Sequence, residues 1–218
     1  MAYFPLFVDL KDKNILIIGG GKVAFRKVLK LIPFEAKIII VSPEICCELE
    51  KLLDENKNLI YKKKKVEIND IKKSFIVISA TNDKNINSLI SATCKENNIF
   101  VNSVDDIENC SFIFPALIKK DAFTAGFTTS GKAPDMAAYL KNLTEQTIPE
   151  NIEQVIENLG LLRQELKSQI SEQTVRAKII HSLLQFYEKN NFKLSYNELK
   201  KEMNNLIENI SIKKLMGV

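Results

Sequence analysis

The stretch NILIIGGGKVAFRK, residues 14–27, joins an aliphatic run to three consecutive glycines and then to a basic, helix-like pattern. The run before the glycines has the length and the β-branched content of a buried strand. Gly19, Gly21 and Ala24 fit the pattern G-x-G-x-x-A, which follows such a strand and opens a helix. The stretch therefore predicts a strand, a tight turn and a helix in immediate succession.

This turn has the composition of a phosphate-binding loop. The first glycine permits the tight turn, the second lets the backbone approach a pyrophosphate, and Ala24 allows close packing of helix on strand. The N-terminus of the helix then presents free N–H groups and the positive end of its dipole. The pattern favours dinucleotide binding over its alternative, a plain tight turn. The residues expected to contact the cofactor here are Gly19, Gly20, Gly21, Lys22 and Val23.

Short β-branched runs alternate with helical patterns along the first half of the chain. Such alternation is typical of βαβ units and predicts an α/β fold with a parallel sheet. The clearest predicted strands are Asn14–Ile18, Lys37–Val41, Ser74–Ala80 and Phe100–Val104. All six prolines lie at or before Pro149, where the pattern changes. We therefore divide the chain into a dinucleotide-binding domain (1–112), a connecting or dimerising segment (113–149) and a small C-terminal α-helical domain (150–218).

The last third of the chain carries helical periodicity. Apolar residues from Ile152 to Ile170 recur at intervals of three and four, as on the buried face of an amphipathic helix. Further helices are predicted around Val175–Tyr187 and Tyr196–Ile210. In the segment before them we expect one or two short strands, a Thr/Ser/Gly loop and a helix that begins at Pro134.

Composition narrows the class of protein. With 45% hydrophobic content, 218 residues can bury a substantial core. The net charge of +4 is small and dispersed, and no nucleic-acid-reading motif is present, so no nucleic-acid partner is expected. No apolar run reaches the roughly 18 residues of a membrane span. Because the N-terminus also lacks a leader pattern, we expect a cytoplasmic protein. The lysine run Lys62–Lys65 is interpreted as a solvated strand end.

The end of the second predicted strand is where an acidic residue would hold the adenosine ribose of a dinucleotide. Glu44 lies at the right distance from the glycines but follows Pro43, so either its side chain or Ser42 with backbone atoms could hold the ribose. No arginine stands there for a 2′-phosphate, which favours NAD over NADP. Thr81 and Asn82, after the next core strand, are expected beside the nicotinamide ribose; capping of the following helix is compatible with that role.

A candidate proton acceptor follows the last predicted strand. The single histidine, His181, falls among the C-terminal helices, so a carboxylate must be considered as general base. Asp105 is expected at the sheet edge that carries the glycines, where it could take a proton from the substrate. Its alternative role is to cap a turn.

The loop before Pro134 combines hydroxyls, a glycine, a lysine and a helix N-terminus. These groups suit the binding of a substrate carboxylate, although they equally suit a helix cap. The residues predicted to bind substrate are Thr128, Thr129, Ser130, Gly131 and Lys132.

No metal site is predicted. The four cysteines, Cys46, Cys47, Cys94 and Cys110, lack the paired spacing of a zinc site. We expect them to be buried, reduced thiols.

Several of these motifs occur together and in the same order in a known family. They are Phe4–Phe7 with Leu10, Ile17–Ala24 followed by Arg26 and Lys27, Ala80–Asp83 with Asn87, Asn102–Asp105, Ser111 with Phe112, and the loop Thr128–Pro134. In these motifs the chain resembles the NAD-dependent precorrin-2 dehydrogenases of siroheme biosynthesis, some of which are also sirohydrochlorin ferrochelatases. The resemblance is strong over residues 1–150 and only general in the helical tail.

The resemblance implies a Rossmann-type NAD-binding domain and an oxidoreductase that dehydrogenates the tetrapyrrole precorrin-2 to sirohydrochlorin. It assigns the catalytic aspartate to Asp105 and implies a homodimer built through Ser111–Leu143. The carboxylates of the tetrapyrrole would give Lys22, Arg26, Lys27 and Lys132 a reason to be basic, the alternative for each being a solvated cation. The methyltransferase domain fused to some relatives is not found in these 218 residues. We therefore expect a separate enzyme to supply precorrin-2.

Two points stay open at the level of sequence. The residues do not decide whether the protein also inserts iron into sirohydrochlorin. The alternative function is a non-catalytic, NAD-sensing regulatory protein. A sensor would not need the carboxylate of Asp105, whereas the dehydrogenase would.

Overall fold

A five-stranded parallel sheet forms the centre of the first part of the chain. The computed structural model describes residues 3–104 and 106–216. The strands are β1 (Asn14–Ile18), β2 (Lys37–Ser42), β3 (Leu59–Lys63), β4 (Ile76–Ser79) and β5 (Phe100–Ser103). Their order is β3-β2-β1-β4-β5, with every pair parallel. This confirms the predicted α/β fold, and the order is that of a Rossmann-type dinucleotide-binding sheet.

Helices cover both faces of this sheet. They are α1 (Lys22–Leu31), α2 (Cys47–Glu55), α3 (Ile68–Lys72) and α4 (Lys84–Glu96). On one face Ile15, Ile17 and Ile40 pack against Ala24 and Val28 of α1. The core of the other face contains Leu16, Ile18, Val77 and Val101 of the sheet with Ile90 and Cys94 of α4. Strands buried on both sides explain the nearly continuous aliphatic runs in the sequence.

A hairpin and one helix follow the sheet. Strands β6 (Ala116–Lys120) and β7 (Phe123–Phe127) pair with each other, and α5 (Pro134–Thr147) begins at the predicted proline. The chain separates into two compact units within this region. One unit contains the chain up to Leu117 together with Gly126–Lys141, and the other contains Ile118–Ala125 together with the chain from Asn142. We call them the sheet unit and the helical unit.

Three helices make up most of the helical unit: α6 (Ile152–Gln169), α7 (Gln173–Lys189) and α8 (Tyr196–Met216). The helical tail is therefore confirmed. Its core contains Val155, Leu162, Leu166, Ile179, Leu183, Tyr187, Leu199 and Met203. One polar pair lies inside this core, where the amide Nδ2 of Asn158 donates to the hydroxyl of Tyr187 at 3.1 Å. Across the described ranges no helix is long and apolar enough to span a bilayer.

The prediction of buried cysteines is wrong for most of them. Cys94 is buried in α4, but Cys46 and Cys110 are only half-buried and Cys47 is exposed. All four are free thiols. Cys46 is the N-cap of α2 and packs partly against the core, while Cys47, the first residue of the helix, is exposed.

Candidate dinucleotide site and its surroundings

The glycine turn lies between the ends of β2 and β4. The N–H of Gly19 donates to the carbonyl of Val41 at 3.0 Å, and the N–H of Ala80 donates to that of Ile18 at 2.8 Å. Gly19 has φ +111°, a conformation that L side chains rarely adopt. A Cβ at this residue would also lie 2.8 Å from the carbonyl carbon of Ala80. The first glycine of the motif is thus required by the backbone itself.

The other two glycines differ in what surrounds them. A Cβ at Gly20 would collide with the carbonyl oxygen of Glu44 and lie 2.8 Å from the Cα of Ile45. A Cβ at Gly21 would meet no protein atom within 4 Å. Gly20 is therefore fixed by the fold, whereas Gly21 faces open space.

Gly21 is also the N-cap of α1, and no side chain caps this helix end. The first N–H groups of a helix need an acceptor, and an anion at that position satisfies them. The following residues, Lys22 and Val23, lie in the first turn, where Lys22 is exposed. An open glycine in front of an uncapped helix N-terminus fits the pyrophosphate of a dinucleotide, so the residues present suit NAD.

The end of β2 is shaped by Tyr61. Its hydroxyl donates to the carbonyl oxygens of Ser42, at 3.1 Å, and Pro43, at 3.2 Å. Ser42 is buried, while Pro43 and Glu44 are exposed beside the glycine turn. The predicted ribose-binding residues thus lie next to the glycine turn. The choice between Glu44 and Ser42 as the ribose partner stays a prediction.

The loop after β4 is organised by one buried amide. Oδ1 of Asn87 accepts from the hydroxyls of Ser79, at 2.6 Å, and Thr81, at 2.7 Å, and its Nδ2 donates to the carbonyl of Thr81 at 3.0 Å. Asp83 caps α4 by accepting from the N–H groups of Asn85 and Ile86. Thr81 is half-buried, and Asn82 is exposed.

Sequence reasoning attributed no structural role to Asn87. The sequence offered one signal for such a role: Asn87 lies in the first turns of the helix that follows the polar end of β4. Its hydrogen bonds hold Thr81 in place. Thr81 lies beside the glycine turn, since a Cβ at Gly19 would be 3.4 Å from its backbone nitrogen.

The predicted catalytic residue, Asp105, lies outside the described residues. The backbone before it is held by a hydrogen bond from the N–H of Val104 to the carbonyl of Ser79 at 2.9 Å. Asp106, after it, accepts from the N–H of Asn109 at 3.3 Å and from its amide Nδ2 at 2.8 Å. The carboxyl end of β5 therefore adjoins that of β4, at the edge that carries the glycine turn.

Next to this edge is a lysine that the sequence did not single out for a structural role. Nζ of Lys27 donates to Oδ1 of Asn102 at 3.2 Å and lies 4.1 Å from the ring centroid of Phe114. Burial, reinforced by the positive charge of Lys30, lowers the pKa of Lys27 to about 8. Asn102 in turn donates to the carbonyl of Phe112 at 3.2 Å.

The predicted substrate loop is held by its own hydrogen bonds. The hydroxyl of Thr129 donates to the carbonyl of Ala133 at 2.8 Å and accepts from its N–H at 3.1 Å. The N–H of Ser130 donates to the hydroxyl of Thr128 at 3.1 Å. The hydroxyls thus do act as local caps, and Ser130, Gly131 and Lys132 remain exposed.

This loop packs against the turn that follows β5. A Cβ at Gly131 would lie 2.5 Å from Cδ1 of Ile107, and Gly131 has φ +78°, a conformation that L side chains rarely adopt. The structure thus brings the Thr128–Lys132 loop next to the short helical turn Ile107–Asn109, which comes directly after the Asp105–Asp106 pair.

The lysine run has a structural role on another part of the sheet unit. Nζ of Lys64 lies 2.8 Å, and Nζ of Lys62 3.5 Å, from the carboxylate of Asp70, whose side chain is only 8% exposed. This carboxylate also accepts from the N–H of Glu67 at 3.1 Å. The run is therefore a strand end that stays largely in contact with solvent, and two of its lysines also pair with Asp70.

Metal-binding side chains do not cluster in the part of the chain that the structure describes. His181 is exposed on α7, where its Nε2 lies 3.1 Å from Nε2 of Gln185.

The sheet order, the open glycine and the uncapped helix together define a Rossmann-type dinucleotide-binding protein. A family model described as "Putative NAD(P)-binding" matches residues 6–116, just over half of the chain. The chain belongs to this NAD(P)-binding family.

The relatives include siroheme synthases of bacteria. The siroheme synthase of Buchnera aphidicola subsp. Acyrthosiphon pisum is 35% identical over 217 residues, which cover 97% of this chain and 45% of that protein. That of Blochmanniella floridana is 36% identical over 217 residues, covering 96% of this chain and 46% of that protein. The chain thus spans less than half the length of these relatives.

Among solved structures, one titled "SirC, precorrin-2 dehydrogenase" has the same fold. Its TM-score is 0.71 at 22% sequence identity, and the match covers 94% of this chain and all of that one. This likeness establishes the fold.

Proposed function

We propose that this protein is an NAD-dependent dehydrogenase that converts precorrin-2 to sirohydrochlorin in siroheme biosynthesis. The observation that carries the proposal is the open Gly21 in front of the uncapped N-terminus of α1. Membership of the NAD(P)-binding family supports the cofactor. The siroheme synthases and the precorrin-2 dehydrogenase to which the chain is similar support the substrate and the direction of the reaction.

The reaction removes two hydrogen atoms from the macrocycle, one as hydride and one as a proton. Bound NAD would supply the hydride acceptor. The protein then has to bind the pyrophosphate, which the N–H groups at the start of α1 suit, and to accept the proton, for which we propose Asp105. The carboxylates of the tetrapyrrole would be bound by the exposed end of the loop from Thr128, with Lys132 as its cation.

The proposal specifies NAD rather than NADP. The segment from Ser42 to Cys46, beside the glycine turn, contains an acidic residue and no basic one. A 2′-phosphate would therefore find no cation within this segment and would meet Glu44. The ribose hydroxyls of NAD suit the same carboxylate.

We also propose that the protein acts in the cytoplasm as a homodimer, built through the segment 113–149. Three apolar side chains along α5 support this, because Met136, Tyr139 and Leu143 are each about half exposed. A homodimer should be seen at micromolar concentration by light scattering coupled to size exclusion, and a monomeric mass there would contradict it.

The enzyme proposal is tested under anaerobic conditions with enzymatically generated precorrin-2 and NAD. We expect the absorbance of sirohydrochlorin to appear together with that of NADH. Asp105→Asn should lose most of this turnover while its dissociation constant for NAD stays within about twofold, because the carboxylate is assigned to proton transfer rather than cofactor binding.

Asp106→Asn is the matched control, since it neutralises the neighbouring carboxylate and keeps an oxygen for Asn109. It should retain turnover. If the unchanged protein binds NAD but forms no sirohydrochlorin, the non-catalytic, NAD-sensing alternative is favoured instead.

A further inference from the structure

A chain of hydrogen bonds runs from α1 to the loop that contains residue 105. Lys27 of α1 donates to Asn102 of β5, and the amide Nδ2 of Asn102 lies 3.5 Å from Sγ of Cys110. The thiol of Cys110 accepts from the N–H of Ser103 at 3.1 Å. It also lies 3.2 Å from each of the carbonyl oxygens of Ser103 and Asp106, to either of which it can donate. One sulfur thus contacts the backbone on both sides of residue 105.

The far end of the same loop is closed against β5. The hydroxyl of Ser111 accepts from the N–H of Val101 at 2.7 Å, and the N–H of Ser111 donates to the carbonyl of Val101 at 2.8 Å. Asn102 adds its bond to the carbonyl of Phe112. Residues 103–112 therefore form a loop whose two ends are tied to neighbouring positions of one strand.

The position of Lys27 is electrostatically unfavourable for its charged ammonium. Within residues 3–104 and 106–216 no carboxylate pairs with its ammonium, and its hydrogen-bond acceptor is the neutral amide of Asn102. The charges of Lys30 and Arg26 on α1 oppose it, whereas the ring of Phe114 and Cys110 favour it. An apolar side chain would fill such a site at lower cost. The hydrogen bond from its ammonium to Asn102 therefore explains the presence of a lysine at this position better than packing does.

We propose that Lys27 and Asn102 are positioning residues, which hold the 103–112 loop in the arrangement that proton transfer by Asp105 requires. This inference rests on the proposed dehydrogenase function. The positioning role needs no contact with NAD or substrate, although Lys27 is also one of the cations that the family resemblance sets against the tetrapyrrole carboxylates. Lys27 acts on the loop through Asn102, and Asn102 acts through Phe112 and Cys110. A displacement of about 1 Å at a reacting group is enough to lower turnover about 100-fold.

The first test compares kinetics of Lys27→Met, Asn102→Leu and the double variant. Each single variant should lower kcat at least tenfold and leave the dissociation constant for NAD within twofold. Because both residues belong to one chain of contacts, the double variant should be no worse than the poorer single variant. Lys30→Met is the matched control: its ammonium also faces Phe114, at 5.7 Å, but makes no bond to Asn102. It should keep the kcat of the unchanged protein.

The pH profile separates positioning from mere stabilisation. The groups that face the Lys27 ammonium are Arg26 and Lys30 on its own helix, the Cys110 thiol from the loop, and the uncharged Asn102 and Phe114. With a pKa of about 8, Lys27 loses its charge as the pH rises above that value, so kcat should fall there. Lys27→Arg, which keeps its charge, should retain activity to higher pH.

Hydrogen exchange tests the inference without any turnover. In Lys27→Met the N–H groups of Ser103 and Val104 should exchange at least tenfold faster, while those of the buried strand β1 are unchanged. Unchanged exchange of the loop, or independent and multiplicative losses of kcat in the double variant, would overturn the positioning role. If the loop loosens as expected but the unchanged protein has no turnover, the proposed function fails and the role of Lys27 in holding the loop stands.

Discussion

The sheet unit and the helical unit differ in how many polar side chains they bury and in where those side chains lie. Of the nine buried polar residues among those the structure describes, eight belong to the sheet unit. Four of these stand where strands end at the edge of the glycine turn: Ser42, Ser79, Asn102 and Ser103. In the helical unit the buried polar residue is Asn158, whose partner is Tyr187 in the middle of the core.

Burying a polar group is unfavourable unless it is hydrogen-bonded, so its location indicates what it serves. Polar groups gathered at the carboxyl edge of a parallel sheet lie where ligands of this fold bind. A single pair within a helical core instead favours one packing arrangement over others. The comparison therefore favours the sheet unit as the place where the chemistry occurs. Variants that change NAD affinity and the free energy of unfolding separately test this assignment.

The largest effects are expected at the glycine turn. Gly20→Ala introduces a Cβ into the carbonyl of Glu44 and should lower the free energy of unfolding by about 3 kcal/mol, or Tm by roughly 10 °C. Gly21→Ala places its Cβ in open space, so Tm should hardly change. The same methyl group would obstruct the pyrophosphate, and the dissociation constant for NAD should rise at least tenfold, or about 1.4 kcal/mol.

Thermal unfolding without ligand and calorimetric titration with NAD measure the two quantities separately. The pair serves as its own control, because each variant adds one methyl group at adjacent positions. Normal NAD affinity in a folded Gly21→Ala protein would remove the observation on which the dinucleotide site depends.

The same pair of glycines illustrates how far sequence reasoning reaches. The G-x-G-x-x-A motif acts through local backbone, and the β1 strand, the turn and the start of α1 were predictable from it. The motif alone does not constrain its second position, yet Gly20 is fixed by a contact with the loop after β2. Such a contact depends on how distant segments meet, which no local pattern records.

Long-range partners explain the other omissions. Lys27 and Asn102 are 75 residues apart, and their contact requires α1 and β5 to be placed first. Asn87 could be recognised as part of a motif, but its role as the acceptor for two hydroxyls follows from the approach of α4 to the end of β4. The roles of Asp105 and of the Thr128–Lys132 loop stay predictions.

A smaller effect is expected in the helical unit. Tyr187→Phe removes the acceptor of the Asn158 amide inside the core and should lower the free energy of unfolding by about 1–2 kcal/mol. The dissociation constant for NAD should not change. Chemical denaturation measures the first quantity and calorimetric titration with NAD the second. A loss of NAD affinity in Tyr187→Phe at unchanged stability would contradict the division between the units.

The smallest effect concerns Asp70, a partly buried carboxylate of the sheet unit that lies away from the glycine edge. Burial of Asp70 opposes ionisation, but hydrogen bonds from Lys64 and the N–H of Glu67, with the charges of both lysines, lower its pKa from the ordinary 3.8. A lowered carboxyl pKa stabilises the fold above the unfolded value and loses that contribution as the pH falls through the folded one. Since both lysines are partly exposed, the contribution should be about 1 kcal/mol or less.

Asp70→Asn keeps an oxygen for the N–H of Glu67 and removes the charge. The amount by which its free energy of unfolding falls below that of the unchanged protein therefore measures the contribution of the ion pairs with Lys62 and Lys64. The deficit should be complete at pH 7, shrink as the pH falls below about 4, and diminish in 1 M salt because exposed charges are screened. NAD affinity at pH 7 should equal that of the unchanged protein. A deficit that is the same at pH 2 and pH 7 would show that packing, rather than charge, holds Asp70 in place. A change in NAD affinity would extend the functional region of the sheet unit beyond the edge where its strands end.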